Sequence, residues 1–278
     1  MLATILGTAQ ATLTKFPYLR KVWKTNTEEE RLLGVSLTGI MDNELTSGKK
    51  HGLDKTLESL RQIAVETNKE WATIFGIPQS TAITCVKPSG TVSQLVDSSS
   101  GIHPRHSSYY IRTVRGDNKD PLTNFMVDSG IPSEADFMKP DTQTVFSFPM
   151  KSPKNSVVRN DMTAIEQLEM WLLYQRHWCE HKPSVTVSVR DEEWMEVGAF
   201  VFKHFDEMSG VTFLPHSDHT YQQAPYQDCT EAVYNDFSSK FGHIDWNKFI
   251  DYEKEDNTKS SQTFACSGDS CEIVDIGA

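Results

Sequence analysis

Short β-branched runs alternate with amphipathic helical stretches from residue 33 to about residue 215, and this alternation most narrows what the chain can fold into. Strand, helix and strand in succession call for crossover connections and a largely parallel sheet, so the expected class is α/β. "STAITCV", "SSYYIRTVR", "TVFSFPMK", "SVTVSV" and "GVTFLP" read as the strands. In "LDKTLESLRQIAVETNKEWATIFG", Leu53, Leu57, Leu60 and Ala64 share one helical face. "DMTAIEQLEMWLLYQRHWCEH" reads as a helix capped by Asp161 or Thr163, with Ile165, Leu168, Leu172 and then Tyr174 or Gln175 along a stripe. "DEEWMEVGAFVFKHF" reads as another helix, acidic at its start. Upstream, Leu2, Ile5 and Ala9 have helical spacing, and Thr27 before three glutamates predicts a helix start ahead of the apolar run Leu33 to Met41. Beyond about residue 215 the sequence turns polar and aromatic, and "EKEDNTKSSQTFACSGDSCEIVDIGA" has the composition of a mobile tail.

Composition removes several function classes. Hydrophobic residues make up 38% of the chain and charged ones 23%, enough apolar material for a packed core. A formal net charge of -11 argues against nucleic acid as a partner but leaves room for a local nucleotide site. No run approaches the roughly 20 apolar residues of a membrane span. The apolar start "MLATILGTAQ" lacks the basic region of a signal peptide. Five cysteines without a secreted-scaffold spacing point to a reducing, cytoplasmic setting.

Between a strand and an apolar-leaning segment lies "KPSGTVS", residues 87 to 93. A strand running through such a turn into a helix presents unpaired N–H groups with the positive end of the helix behind them, which suits an anion. Pro88 fixes the entry and Gly90 permits close backbone approach, while the hydroxyls of Ser89, Thr91 and Ser93 are potential donors to phosphate. The spacing is not that of a P-loop. Read blandly, the turn is only a connector. Lys87 before it and His103, Arg105, His106 and Arg112 after it enrich its surroundings in cations, each of which alone reads as a surface or salt-bridged residue.

Cys266 and Cys271 are separated by "SGDS", small residues that let two sulfurs meet. The pair lacks the further ligands of a zinc site, so the spacing leaves a redox pair and a bland exposed tail as the alternatives. His177, Cys179 and His181, and His216 with His219, carry no recognised metal pattern, and no metal is expected. Cys85, Cys179 and Cys229 read as buried or incidental thiols.

"KPSGTVSQLVDSSSGIHPRHSSYYIRTVR", with "YLRKVWKTNTEEERLLGVSLTGIMDN" upstream and "GVTFLPHSDHTYQQAPYQDCT" downstream, resembles the class II, adenosylcobalamin-dependent ribonucleotide reductases, most closely the monomeric branch acting on ribonucleoside triphosphates. The resemblance implies the second half of a ten-stranded α/β barrel over residues 1–250 and a redox tail over 251–278. It implies that Pro88, Ser89, Gly90, Thr91 and Ser93 hold the substrate's phosphates. It also implies that Cys266 and Cys271 re-reduce an active-site disulfide and are themselves restored by thioredoxin or a small dithiol. The family's thiyl radical forms on a cysteine in an Asn-Pro-Cys-x-Glu loop and takes the ribose 3′ hydrogen, and no Asn-Pro-Cys occurs here. The implied chain is therefore the C-terminal part of a reductase, working with an N-terminal segment that carries that loop, with adenosylcobalamin as cofactor and a ribonucleotide as substrate. His103 and His106 are candidates for contact with the corrin. The glycyl-radical reductases share the barrel, but "CSGDSCEIVDIGA" does not resemble their glycine loop. A non-catalytic fragment that binds nucleotide phosphates is the competing reading.

Overall fold

The computed structural model describes residues 1–90, 92–216, 221–242 and 244–253. In chain order the first elements are α1 (Leu2–Gln10), α2 (Lys21–Glu30), β1 (Val35–Ser36), α3 (Leu53–Phe75), β2 (Thr84–Cys85), α4 (Val92–Leu95), β3 (Tyr109–Asp117) and α5 (Pro121–Asp128). They are followed by β4 (Ser133–Ala135), β5 (Gln143–Lys151), α6 (Ala164–His177), β6 (Val185–Val189), α7 (Trp194–Lys203), β7 (Val211–Pro215), β8 (Tyr226–Asp228) and α8 (Glu231–Ser239). The chain divides into two compact units, Met1–Ser108 with Ser152–Asp218, and Tyr109–Lys151 with His219–Ala278. No helix among the described residues is long and apolar enough to cross a membrane.

In the first unit β1 pairs with β2 and β6 with β7, both in parallel. The two pairs are linked where Glu180 and His181 N–H groups donate to Thr84 O, and Ser184 N–H to Val86 O. The main core lies against these strands and is built from Ile40, Met41, Leu57, Val86, Ile102, Leu168, Trp171, Tyr174, Val185 and Val187. Thr163 caps α6 by accepting from Glu166 N–H while the Glu166 carboxylate accepts from Thr163 N–H, a reciprocal box that settles the start of that helix. Leu53, Leu57 and Ala64 of α3 are buried as the spacing predicts, whereas Leu60 is 41% exposed.

Two expectations are corrected. The second unit is antiparallel rather than parallel: β3 and β5 pair over nine residues from Tyr109↔Lys151 to Asp117↔Gln143, in the order β4-β5-β3-β8. The turn at Asp117–Asp120 and the short α5 return the chain beside β3, so strand and helix alternate without a parallel crossover. Thr27 does not start a helix. It lies inside α2, its hydroxyl donating to Trp23 O, and the three glutamates stand at the carboxyl end of that helix, where the helix dipole disfavours them. The helix expected from the spacing of Leu2, Ile5 and Ala9 forms as α1; its buried residues are Thr4 and Thr8, and Asn68 of α3 reaches Thr8 Oγ1 and Ser80 Oγ at 3.0 Å each.

Candidate phosphate-binding turn

β2 and Val86 are fully buried, and the chain comes to the surface at Lys87 and Pro88, at the carboxyl end of the strand. Ligand sites of parallel α/β sheets gather at this end. The geometry that follows is set by hydrogen bonds to the backbone. Lys87 N–H donates to Ser36 Oγ at 3.0 Å, and Ser89 N–H donates to Ser100 Oγ at 2.7 Å. Ser93 N–H donates to Ser89 Oγ at 2.8 Å, and the Ser93 hydroxyl donates back to Ser89 O at 2.6 Å. Gly90 N–H has no acceptor among the described residues. A Cβ built on Gly90 meets nothing within 4 Å.

These bonds divide the expected site residues by role. Gly90, which is exposed, keeps its N–H without an acceptor among the described residues, and the half-buried Ser89 hydroxyl accepts one bond while no acceptor for its own proton is found among them. Ser93 is completely buried and its proton is committed to Ser89 O, so it braces the turn from inside. Pro88 is exposed and holds the entry. Thr91 lies outside the described residues, as do Cys266 and Cys271. The expected helix behind the turn is α4, a single turn of four residues. So short a helix aligns few peptide dipoles, so any pull on an anion would have to come from the turn's own N–H and O–H groups and from the exposed Lys87.

The basic stretch after the turn faces inward. Arg105 is 5% exposed and grips Asp42 through Nε and Nη2, both at 2.9 Å, and Asp97 through Nη1 at 2.9 Å. Asp42 Oδ2 also accepts from Ser99 N–H at 2.7 Å. His103 sits between Ser100 O at 2.8 Å from Nδ1 and Thr186 N–H at 3.0 Å from Nε2. An Nε2 that accepts must be unprotonated, so Nδ1 carries the hydrogen, and burial pushes the imidazole below its ordinary pKa. Arg112 belongs to the second unit, its guanidinium 5.5 Å from the Tyr226 ring centre. Asp42, Ser99, Ser100 and Thr186 were not singled out by sequence, because isolated Ser, Thr and Asp carry no spacing pattern.

The described cysteines are poor nucleophiles. Cys85 is 1% exposed and burial raises its pKa, while burial and the neighbouring Cys85 push Cys179 up to about 12. Cys229 is half-buried and also raised, first by burial. His177 pairs with Glu58 at 2.8 Å and His181 is 2.7 Å from Leu33 O, so both are engaged in packing. A cleft of about 570 Å³ lies between α1, α2 and β1, lined by Leu6, Gly7, Leu13, Arg31, Leu33 and Ser36.

No family model matches the chain. It is 29% identical over 269 residues to a probable adenosylcobalamin-dependent ribonucleoside-triphosphate reductase of Dictyostelium discoideum, covering 94% of this chain and 34% of that protein. The adenosylcobalamin-dependent ribonucleoside-triphosphate reductase of Euglena gracilis is 27% identical over 254 residues, 90% of this chain and 35% of its own length. That of Lactobacillus leichmannii is 25% identical over 250 residues, 80% of this chain and 34% of its own. The crystal structure of a B-12 dependent, class II ribonucleotide reductase superposes with a TM-score of 0.77 at 23% identity, over 91% of this chain and 40% of that one. The chain thus spans about a third of the length of the curated relatives it matches.

Proposed function

We propose that this chain, a relative of the adenosylcobalamin-dependent ribonucleoside-triphosphate reductases over about a third of their length, supplies the substrate-phosphate turn and the reducing tail of such an enzyme. One observation carries the reading: the likeness runs through 94% of the chain, so it takes in the turn together with the elements on both sides of it. The substrate is a ribonucleotide, a triphosphate by analogy with the relatives' names, and the product is the deoxyribonucleotide used for DNA synthesis in the cytoplasm. Gly90 N–H, the Ser89 hydroxyl and Lys87 hold the phosphates, with Pro88 and Ser93 shaping the turn and Thr91 adding a hydroxyl. In the barrel reading, β1, which pairs on one side only among the described residues, meets an earlier strand of the reductase there, beside the cleft lined by α1.

The thiyl cysteine and its glutamate lie in an Asn-Pro-Cys-x-Glu segment outside these 278 residues. Burial makes Cys85 and Cys179 unsuitable substitutes. Adenosylcobalamin, when bound to the assembled enzyme, supplies the radical that begins the reaction. Both ring nitrogens of His103 are engaged within the chain, so no corrin contact is assigned to it. Cys266 and Cys271 give two electrons to an active-site disulfide by thiol exchange, become a disulfide themselves, and are restored by thioredoxin or a small dithiol.

The test is deoxynucleotide formation from a ribonucleoside triphosphate with adenosylcobalamin and a dithiol. It is run on this chain, on a segment bearing Asn-Pro-Cys-x-Glu, and on the two together. Activity in the mixture alone supports the reading. Activity of this chain alone places the radical on one of its own cysteines and overturns it. Inactivity of all three, with triphosphate still bound by this chain, leaves the non-catalytic phosphate-binding fragment.

A further inference from the structure

The loop after the turn is held more tightly than a connector needs. Arg105 ties it to Asp42, and the Asp97 carbonyl adds a further acceptor at 2.6 Å from Nη2. Ser99 is tied to the same segment by Gly39 N–H at 2.8 Å and Met41 N–H at 3.1 Å. Gly101 has a positive φ of +52° and lies so close to the turn that a Cβ there would stand 3.0 Å from Lys87 O. Between these fixed points Ser100 is gripped from two sides. Its carbonyl accepts from His103 N–H at 2.9 Å and from Nδ1 at 2.8 Å, and Nε2 of the same ring accepts from Thr186 N–H of β6 at 3.0 Å. Its hydroxyl takes the Ser89 N–H at 2.7 Å.

Two adjacent amides, of Ser89 and Gly90, could each have pointed at a ligand. Only one is left to do so. We propose that Ser100 is a positioning residue: by engaging Ser89 N–H it selects Gly90 N–H as the outward donor, and His103 braces Ser100 against β6 so that this choice is fixed before ligand arrives. The inference rests on the phosphate reading of the turn and adds to it the residues that set its register. Preorganisation of this kind improves affinity by removing the ordering cost from the binding step.

The experiment uses the whole 278-residue chain, inorganic triphosphate as probe, and the backbone amide resonances of Ser89 and Gly90. In the unaltered chain triphosphate shifts the Gly90 amide and leaves the Ser89 amide hydrogen-bonded. Ser100→Ala releases the Ser89 amide and weakens triphosphate binding about tenfold, the scale of one hydrogen bond to a charged group. Ser100→Thr, which keeps a hydroxyl, restores both. A merely architectural Ser100 gives a lower unfolding midpoint with unchanged affinity of the folded chain, and that result overturns the inference while the phosphate reading stands. Absence of any triphosphate effect on Gly90 in the unaltered chain removes that reading and the inference with it. If Ser100→Ala does not fold, His103→Leu leaves the Ser100 hydroxyl in place but unbraced, and is judged by the same two amides.

Discussion

Replacing Gly90 with alanine separates binding from stability, because the structure gives the two effects opposite signs. Gly90 has no positive φ, and an added Cβ meets nothing within 4 Å, so the methyl group fits the folded chain without strain. Alanine restricts the unfolded chain more than glycine does, so the variant is expected to be as stable as the parent or up to about 1 kcal/mol more stable. The same methyl stands beside a turn amide, that of Gly90, which has no acceptor among the described residues, and on the proposed reading it crowds a phosphate that approaches that amide. A hydrogen bond to a charged group contributes about 1.5–3 kcal/mol, so its loss weakens binding roughly ten- to a hundredfold. Urea unfolding of the chain measures the first quantity and calorimetric titration with triphosphate the second. In the proposed reductase, once reconstituted, the change should be a raised KM with kcat largely kept, since a grip on the phosphates is shared by ground and transition states. Unchanged affinity in a variant of undiminished stability would refute the argument that the turn's open side is where phosphate sits. A destabilised variant would instead show that the space over Gly90 is not open.

Exchanging Cys266 and Cys271 for serine should abolish turnover with thioredoxin in the reconstituted enzyme yet spare much of it with a small dithiol; equal loss with both reductants would end the tail-shuttle proposal. Arg105→Met leaves Asp42 without its cation in a largely buried setting, so stability should fall by about 3–5 kcal/mol in urea unfolding, and a loss under about 1 kcal/mol would mean the clamp is relaxed in solution. Cys85 and Cys179 should resist a thiol-specific reagent at pH 8 in the native chain and react on unfolding, since burial keeps both protonated; rapid native reaction would contradict the packing around them. Glu207 is held down to about 2 by hydrogen bonds from Arg176 and then His204, so its contribution is present above the ordinary carboxylate value of 4.5 and is lost as pH falls toward about 2. The stability difference between the parent and Glu207→Gln should therefore shrink steadily over that window, and a difference independent of pH would show that the ionised pairing adds nothing.

What could be read from the sequence was whatever depends on local pattern. The strand at "SVTVSV" followed from alternation and the helix behind Thr163 from its apolar stripe and a capping residue, and both formed within the expected stretches. The turn was legible because Pro and Gly mark a change of chain direction whatever surrounds them. Errors arose where a pattern had two physical meanings. The run of glutamates after Thr27 could have opened a helix, but Lys21–Glu30 was already helical and the acidic residues closed it. Strand and helix alternated through residues 109–151 as they would in a crossover unit, yet the nine-residue register of β3 on β5 is set by pairing between distant residues that no local window contains.

The same distinction governs the site. Lys87, Arg105, His103 and Arg112 looked alike as cations near a phosphate turn, and the fold assigns them different tasks. Lys87 is exposed beside the turn, Arg105 neutralises Asp42 from within, His103 is an uncharged brace, and Arg112 stacks on Tyr226. A buried arginine bonded to two carboxylates has little charge left to offer a ligand, so most of the apparent positive potential of "GIHPRHSSYYIR" is spent inside the protein. With that charge withdrawn, the proposed affinity for phosphate would have to come from oriented neutral donors and from Lys87. Oriented donors bind well only if they are held in place. The serine-rich run "DSSSG" therefore has a reason to be rigid, and it is anchored on Asp42, on Ser89 and, through His103, on β6. A turn that depended on charge alone would tolerate a loose loop behind it; one that depends on the direction of its neutral donors would not.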